Sequence, residues 1–204
     1  MTLSYWQGEA GDAYTERNPI SPGILASRAH LWRKILSHLS PKPESILEVG
    51  ANVGINLLAL RKLIPAALCA VEPNATARAR LEEDGAVDYP PLANITEYRA
   101  KPADLVFTSG VLIHIQPDEL LQACKEIHRV SREWIVAIEY FSAEPRMVPY
   151  RGENDRLWTR DFGAFYLDNF PDLKPVACGF AWKRMTGLDD LTWVVLRKEK
   201  QASV

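Results

Sequence analysis

Apolar residues along the chain alternate between short continuous runs and longer stretches with helical spacing. The runs SILEV, ALCAVE, DLVFTS and EWIVAIEYF have the length of buried strands. The stretches INLLALRKLI, ATARARLEED and PDELLQACKEIHRVS carry apolar residues on one helical face. Strands that are apolar throughout are typical of a parallel sheet covered by helices on both faces. This alternation therefore predicts an α/β fold of three layers.

The two ends of the chain depart from this alternation. Residues 1–22 are polar and aromatic with several turn formers, so we expect an irregular arm that packs on the rest of the protein. Apolar residues recur at helical spacing over residues 24–39, and prolines then end that helix. A helical stretch, DFGAFYLDNF, precedes two runs, PVACGFAWKR and DLTWVVLRK, that predict an antiparallel hairpin.

Composition and charge exclude several classes of protein without naming a function. Hydrophobic residues make up 47% of the chain and charged residues 25%, which is ordinary for a globular protein. The net charge of -2 gives no basic field for nucleic acid or an anionic membrane. The chain has no membrane-spanning run and no secretory signal pattern. We therefore expect a cytoplasmic protein with no metal, whose Cys69, Cys124 and Cys178 are reduced thiols.

The first candidate site is the segment EVGANVG, between the first predicted strand and its helix. Glu48, Gly50 and Gly54 do not have the spacing of a dinucleotide-binding loop. Glycine allows a ligand to approach the backbone closely, and the helix start offers free N–H groups. Glu48 would repel a pyrophosphate, so the segment favours a sulfonium cofactor that also carries an ammonium group. Asn52 either contacts that ligand or caps the helix.

Two further polar segments follow predicted strands. Glu72 ends the second strand, where a carboxylate can accept hydrogen bonds from both hydroxyls of a ribose, with Pro73 and Asn74 near an adenine. The third strand ends in Thr108, Ser109 and Gly110. Because open α/β sheets bind ligands beyond the carboxyl ends of their strands, these segments are expected to lie at one site.

Together, the segments around Glu48–Gly54, Glu72 and residues 104–114 resemble the class I S-adenosylmethionine-dependent methyltransferases. The resemblance implies that the glycine segment contacts the methionine part of S-adenosylmethionine, that Glu72 holds the ribose and that residues 108–110 border the methyl group. It also implies a Rossmann-like methyltransferase fold with a seven-stranded sheet of order 3-2-1-4-5-7-6, in which strand 7 is antiparallel. The predicted carboxyl-terminal hairpin agrees with that order.

A narrower resemblance covers nearly the whole chain. The segments WQGEAGDAYTERN, TSGVLIHIQPDEL and PYRGENDRLWTRDFG are similar to those of the pseudaminic acid biosynthesis-associated methylases. That resemblance implies methylation of a small anionic metabolite, such as a nonulosonic acid sugar or its precursor. We expect one domain over residues 1–204, with residues 1–22 as a lid and residues 142–165 as an insertion on the substrate side.

Candidate catalytic and acceptor-binding residues surround these segments. His114 is the best candidate base, because a neutral imidazole can accept a proton near neutral pH, although it could equally pack behind the strand. Tyr140, after the fourth strand, is a second candidate, and an acceptor that is already an anion needs no base. Arginines can hold a carboxylate or phosphate, although charged loops are usually solvated. The acceptor-binding candidates are Tyr14, Arg17, Tyr150, Arg151 and Arg156.

Two other functions stay open at this point. Some relatives of this fold transfer the aminocarboxypropyl group of the same cofactor and release 5′-methylthioadenosine. A catalytically inactive nucleoside-binding partner of a pathway is the third interpretation. The sequence favours a transferase that methylates a small molecule and releases S-adenosylhomocysteine.

Overall fold

The computed structural model describes residues 2–199, so Met1 and residues 200–204 of the expected domain lie outside the described residues. The strands are β1 (Ser45–Val49), β2 (Ala67–Val71), β3 (Ala103–Ser109), β4 (Ser131–Glu139), β5 (Arg146–Met147), β6 (Trp158–Thr159), β7 (Leu173–Ala181) and β8 (Leu191–Lys198). The helices are α1 (Thr2–Gln7), α2 (Glu9–Arg17), α3 (Pro22–Ser37), α4 (Ile55–Arg61), α5 (Ala75–Glu83), α6 (Pro117–Val130), α7 (Phe162–Asn169) and α8 (Lys183–Thr186). No helix within residues 2–199 combines the length and the apolar character needed to cross a bilayer.

The main sheet has six strands in the order β2-β1-β3-β4-β8-β7. Strands β1 to β4 pair in parallel, and β8 runs antiparallel between β4 and β7. This confirms the predicted α/β fold and its carboxyl-terminal hairpin. The small strands β5 and β6 form a separate pair in the segment after β4.

The expected seven-stranded order 3-2-1-4-5-7-6 is wrong by one strand. In the described residues, the edge beside β2 holds a loop with a single parallel bridge, from Val71 to Leu92. The N–H of Asp88 donates a hydrogen bond to β2 further back along the same edge. Between these two contacts lie Pro90 and Pro91, which have no N–H to donate and therefore prevent a continuous ladder.

Two hydrophobic clusters cover the opposite faces of the sheet. One contains the fully buried rings of Trp32 and Phe107, whose centroids lie 4.5 Å apart, and packs α3, α4 and α5 against the strands. The other includes Cys124, Tyr166 and Leu196 and packs α6 and α7 on the far face. Strands β1, β3 and β4 thus bury side chains on both faces, which explains their nearly continuous apolar runs.

The expected irregular arm at residues 1–22 is instead largely helical. Helix α2 lies against the start of α5, where the Asp12 carboxylate accepts hydrogen bonds from Asn74 Nδ2 at 2.9 Å and Thr76 Oγ1 at 2.8 Å. Gly11 allows this close approach, since a Cβ there would lie 2.7 Å from Asn74 Nδ2 and 1.9 Å from the Trp6 carbonyl oxygen. Tertiary contacts of this kind stabilise a short helix that could not be predicted from its own sequence.

Gly54 allows α4 to pack closely against α5. Its φ is +76°, in the left-handed region, and a Cβ there would lie 2.6 Å from Leu81 Cδ2 and 2.7 Å from Ala86 Cβ. Gly85 is also left-handed, with φ of +64°, but a Cβ there would meet nothing within 4 Å. The close neighbour that Gly54 accommodates is therefore protein, whereas the sequence suggested a ligand.

We expect Gly54→Ala to lower the free energy of unfolding by about 2–5 kcal/mol, because backbone strain and overpacking add. Gly85→Ala carries the strain alone and should cost about 1–2 kcal/mol. Urea denaturation of both variants measures the difference. Equal losses in the two variants would contradict the packing role of Gly54.

Candidate functional site

A cavity of about 310 Å³ lies at the carboxyl ends of β1, β2 and β3, beneath helices α1 and α2. This volume is in the range of small-molecule sites. Its floor is formed by residues 48–53, 71–74 and 109–111, so the structure brings the three predicted segments together. Its roof includes Leu3, Trp6, Tyr14 and Asn18.

Glu72 joins the loops that follow β1 and β2. Its side chain is buried, and its Oε2 accepts a hydrogen bond from the N–H of Asn52 at 2.7 Å. Its Oε1 accepts one from the N–H of Asn74 at 2.8 Å. Burial raises the pKa of this carboxyl. Each carboxylate oxygen offers more than one acceptor position, so both can still bind a hydroxyl group.

Asn52 and Gly50 adopt left-handed conformations, with φ of +47° and +75°. Asparagine tolerates this region better than most residues, which suits it to the turn after β1. Asn52 Oδ1 accepts a hydrogen bond from Thr15 Oγ1 of α2 at 2.8 Å, so its side chain holds the roof and does not cap α4. A Cβ on Gly50 would lie 2.5 Å from Val111 Cγ2, so glycine here lets the loop after β3 approach.

Pro73 and Asn74 both line the cavity. The side chain of Asn74 already has partners, because its Oδ1 accepts from the N–H of Ala77 at 2.8 Å and caps α5. Its Nδ2 donates to Asp12, as described above. Asn74 therefore ties the roof to the floor, and its own N–H contributes to the position of Glu72.

Glu48, which is buried, and Arg28, which is half-buried, are ionisable groups that line the same cavity. Glu48 Oε1 accepts a hydrogen bond from Asn56 Nδ2 at 2.7 Å, and Arg28 Nη1 donates one to Ser109 Oγ at 3.2 Å. Glu48 Oε2 and Arg28 Nε are buried and have no hydrogen-bond partner within residues 2–199. The carboxyl oxygen can accept from an ammonium group, and the guanidinium can donate to a carboxylate.

Arg28 and Asn56 line the cavity but were not predicted from the sequence. A signal for Arg28 was present, because it precedes Trp32 by four residues and Ile35 by seven, on the apolar stripe of α3. An arginine on a buried helical face needs a polar partner, so it marks a candidate site. Asn56 gave a weaker signal in the sequence, because the hydrogen bonds that its amide forms with Trp32 Nε1 and Glu48 exist only in the folded protein.

His114 lies in the cavity wall with its tautomer fixed. Its Nδ1 is 2.7 Å from the carbonyl oxygen of Arg156. Because a carbonyl oxygen only accepts, Nδ1 carries the proton and Nε2 keeps a free lone pair in the neutral ring. Burial lowers the pKa of the imidazole, so the neutral form dominates at pH 7. The rings of Trp6 and Tyr150 lie 4.8 Å and 5.0 Å from it.

Glu139 holds the turn that carries His114. It is buried at the end of β4, and its Oε1 accepts hydrogen bonds from the N–H groups of Val111 and Leu112, both at 3.2 Å. Burial raises the pKa of Glu139 to about 7. Thr108 is buried and does not line the cavity, whereas Ser109 and Gly110 do.

The remaining predicted residues lie at the rim or outside the cavity. Tyr14 lines it, while Tyr140 lies outside, and its hydroxyl donates to Asp189 Oδ2 at 2.9 Å. That hydrogen bond and burial raise the pKa of Tyr140 well above its ordinary value. Neither Tyr150 nor the three predicted arginines line the cavity. Each arginine lies over a tyrosine ring: Arg17 over Tyr14, Arg151 over Tyr150 and Arg156 over Tyr5.

The protonation of Glu48 gives a test of the site's electrostatics. Burial raises the pKa of this carboxyl from 4.5 to about 8, so the folded state binds a proton that the unfolded state releases between those values. The stability that this provides is complete below pH 4.5 and is lost as the pH rises towards 8.

We therefore expect Glu48→Gln to flatten the pH dependence of the free energy of unfolding between pH 5.5 and 7.5, by about 1 kcal/mol per pH unit. Urea denaturation at several pH values measures this slope, with the exposed Glu83→Gln as the control. A slope that Glu48→Gln leaves unchanged would contradict the buried, protonated carboxyl.

Comparison with known proteins assigns a family to this arrangement. A family model described as a methyltransferase domain matches residues 24–162. The fold is similar to that of magnesium protoporphyrin IX methyltransferase from Synechocystis PCC 6803, solved with bound S-adenosylhomocysteine. The TM-score is 0.68 at 11% identity, over 97% of this chain and 98% of that one. No curated protein matches the chain in sequence.

Two other solved structures share the fold. The 1,6-didemethyltoxoflavin-N1-methyltransferase of Burkholderia thailandensis, with its namesake compound and S-adenosylhomocysteine bound, has a TM-score of 0.66 at 16% identity, over 97% of this chain and 86% of that one. An S-adenosylmethionine-dependent methyltransferase of Leishmania major has a TM-score of 0.70 at 17% identity, over 96% and 81%. At such identities these likenesses establish the fold alone.

Proposed function

The chain belongs to the methyltransferase domain family, and from this premise we propose that it transfers the methyl group of S-adenosylmethionine to a small-molecule acceptor. The observation that carries the proposal is the grouping of three ionisable side chains in one cavity: the buried Glu48 and the half-buried Arg28, each with a buried polar atom that has no partner within residues 2–199, and Glu72. An amino acid end and a ribose on one ligand would satisfy all three.

Different residues of this chain would bind the different parts of the cofactor. Glu48 accepts from the ammonium group, Arg28 donates to the carboxylate, and Glu72 accepts from the two ribose hydroxyls. Pro73 and Ile95 give an apolar wall for the adenine. When bound, S-adenosylmethionine supplies an electrophilic methyl carbon: a lone pair of the acceptor bonds to it, the carbon–sulfur pair stays on sulfur, and S-adenosylhomocysteine leaves.

The proton of a neutral acceptor goes to His114. Its Nε2 takes the proton, while Nδ1–H keeps its hydrogen bond to the Arg156 carbonyl and stabilises the imidazolium that forms. Glu139 maintains the position of the ring through the backbone of the turn at 111–114. Ser109 and Gly110 border the methyl group, and Thr108 supports them from behind. A catalytic role of Tyr140 stays a prediction, since its hydroxyl is held by Asp189 outside the cavity.

Helices α1 and α2 act as a lid that excludes water from the cofactor. Hydrogen bonds from Thr15 to Asn52 and from Asn74 and Thr76 to Asp12 hold the lid closed, so opening it would require these contacts and the packing of α1 and α2 to be released. Exclusion of water strengthens the electrostatic interactions of Glu48 and Arg28 with the cofactor.

An anionic acceptor, such as a nonulosonic acid sugar or its precursor, is the finer proposal that comes from the narrower resemblance. The arginines at the rim of the cavity, Arg17, Arg151 and Arg156, support it by attracting an anion towards the opening. These arginines would act on the approach of the acceptor and not on its binding, because Arg156 Nε is already paired with Glu153 at 2.6 Å. The segment 142–165, which contains Arg151 and Arg156, would contribute to acceptor binding.

Binding of S-adenosylhomocysteine tests the cofactor assignment. We expect Glu72→Gln to weaken it by about 10- to 100-fold, since the amide loses an acceptor for a ribose hydroxyl and disturbs the loops. The matched control is Asp104→Asn, a buried carboxylate that also accepts from two backbone N–H groups, of Glu44 and Ser45, at the amino ends of β1 and β3. Calorimetry should find the control's affinity unchanged, and an unchanged affinity of Glu72→Gln would exclude the ribose contact.

The products distinguish methyl transfer from its alternatives. The protein is incubated with S-adenosylmethionine and a panel of phenols, acidic sugars and hydroxy acids, and the nucleosides are separated by chromatography. We expect S-adenosylhomocysteine, formed at a rate that His114→Ala reduces by about 10²–10⁴-fold for a neutral acceptor. Formation of 5′-methylthioadenosine would indicate aminocarboxypropyl transfer. Unchanged cofactor would favour a nucleoside-binding partner without catalysis.

A further inference from the structure

Part of the cavity wall that the cofactor residues do not form is aromatic. Trp6 and Tyr14 both line the roof, with ring centroids 5.5 Å apart and planes at 79°. The ring of His114 lies 4.8 Å from Trp6 and 5.0 Å from Tyr150, which packs behind it. These four rings, Trp6, Tyr14, His114 and Tyr150, are here called the aromatic wall. Perpendicular rings of this kind offer both faces and edges to a flat ligand.

The cavity lacks a second cation for an anionic acceptor. Within residues 2–199, Arg28 is the one arginine or lysine that lines it, and the proposed function assigns Arg28 to the cofactor carboxylate. Arg156 is paired with Glu153 and stacks on Tyr5 at 4.6 Å. Arg17 lies outside, over the ring of Tyr14. The arginines thus form an outer layer around the aromatic wall.

Among the polar atoms of the aromatic wall, those of His114 and Tyr14 are suited to bind an acceptor. His114 Nε2 is an acceptor, because Nδ1–H is committed to the Arg156 carbonyl. The hydroxyl of Tyr14 has no hydrogen-bond partner within residues 2–199, and burial raises its pKa, so it stays a neutral donor and acceptor. A flat ring with one O–H or ring N–H group matches this combination of stacking surface and hydrogen-bonding atoms.

We propose that the acceptor is a small planar aromatic or conjugated molecule whose ionisable O–H or ring N–H faces His114 Nε2, with its ring against Trp6 and Tyr14. This inference rests on the proposed function, because it assumes that the cofactor occupies the floor of the cavity. This acceptor and the sugar acid suggested by the narrower resemblance are alternatives. A saturated sugar acid has no flat face for the rings, and its carboxylate would meet no arginine or lysine other than Arg28 among the described residues that line the cavity.

The test compares three probes on the protein loaded with S-adenosylhomocysteine: 2-naphthol, its saturated analogue decahydro-2-naphthol, and N-acetylneuraminate. The first two share a hydroxyl and a carbon skeleton and differ in planarity. We expect calorimetry to find 2-naphthol bound at least about tenfold more tightly than either other probe, since aromatic pairing adds to area burial. Equal binding of the two naphthalene-derived alcohols, or tighter binding of N-acetylneuraminate, would overturn the proposal.

Trp6→Leu should reduce the preference for 2-naphthol over decahydro-2-naphthol to less than about threefold, because leucine offers no aromatic ring. Both probes are measured on protein saturated with S-adenosylhomocysteine, so that a change in affinity for the cofactor does not enter the comparison. Trp182→Leu is the matched control, as this tryptophan is 48% exposed and lies outside the cavity. Tyr14→Leu is the second variant, and both are compared by thermal unfolding, so that a misfolded Trp6→Leu does not decide the result. A preference that survives in both folded variants would contradict the role of the aromatic wall.

The outcomes for the two proposals are separate. Failure of native protein to bind S-adenosylhomocysteine would overturn the proposed function itself. Binding of S-adenosylhomocysteine without any preference among the three probes would leave that function intact and overturn the planar acceptor.

Discussion

Two backbone hydrogen bonds to one buried carboxylate organise this protein's cavity. Glu72 accepts from Asn52 and from Asn74, and so fixes the loop after β1 relative to the loop after β2. The side chains of the same two asparagines reach the roof, where Asn52 binds Thr15 and Asn74 binds Asp12. Asn52 and Asn74 therefore position both the floor and the roof of the cavity. Because each of them binds Glu72 through its backbone, a change at Glu72 would reach the roof through Asn52 or through Asn74.

Two ionisable groups of this cavity, Glu48 and Arg28, lower the stability of the fold. Glu48 and Arg28 each bury a polar atom that no residue in the described part of the chain satisfies, and an unsatisfied buried group is costly. The raised pKa of Glu48 means that the carboxyl holds a proton at neutral pH until a cation approaches. Binding of an ammonium group would then release that proton, so affinity for such a ligand rises with pH below about 8.

The sequence predicted the elements whose burial is uniform. Strand β1 coincides with SILEV, and α3 begins within two residues of the predicted stretch. A strand buried on both faces gives a continuous apolar run, whereas a helix buried on one face gives apolar residues at helical spacing. Long-range effects could not be predicted from the sequence. The seven-stranded order that the resemblance implied has one strand more than the described sheet, whose edge beside β2 holds only a single bridge near Pro90 and Pro91. Helix α2 depends on contacts with α5. The proximity of the segments after β1, β2 and β3 could be predicted, because the topology of a parallel sheet places their ends at one edge. Arg28 lies within the apolar pattern of α3, and only its position on the buried face of that helix indicates a site.

The ring of His114 lies where α1 meets the other elements of the cavity. Three separate elements surround its ring: the turn held by Glu139, the Arg156 carbonyl in the segment after β4, and Trp6 in α1. The lowered pKa makes the imidazole a weaker base but keeps it neutral at pH 7, and its buried position depends in part on the ring that α1 supplies. The ring of Trp6 therefore contributes to the burial of the imidazole, which links the position of α1 to the lowered pKa of His114.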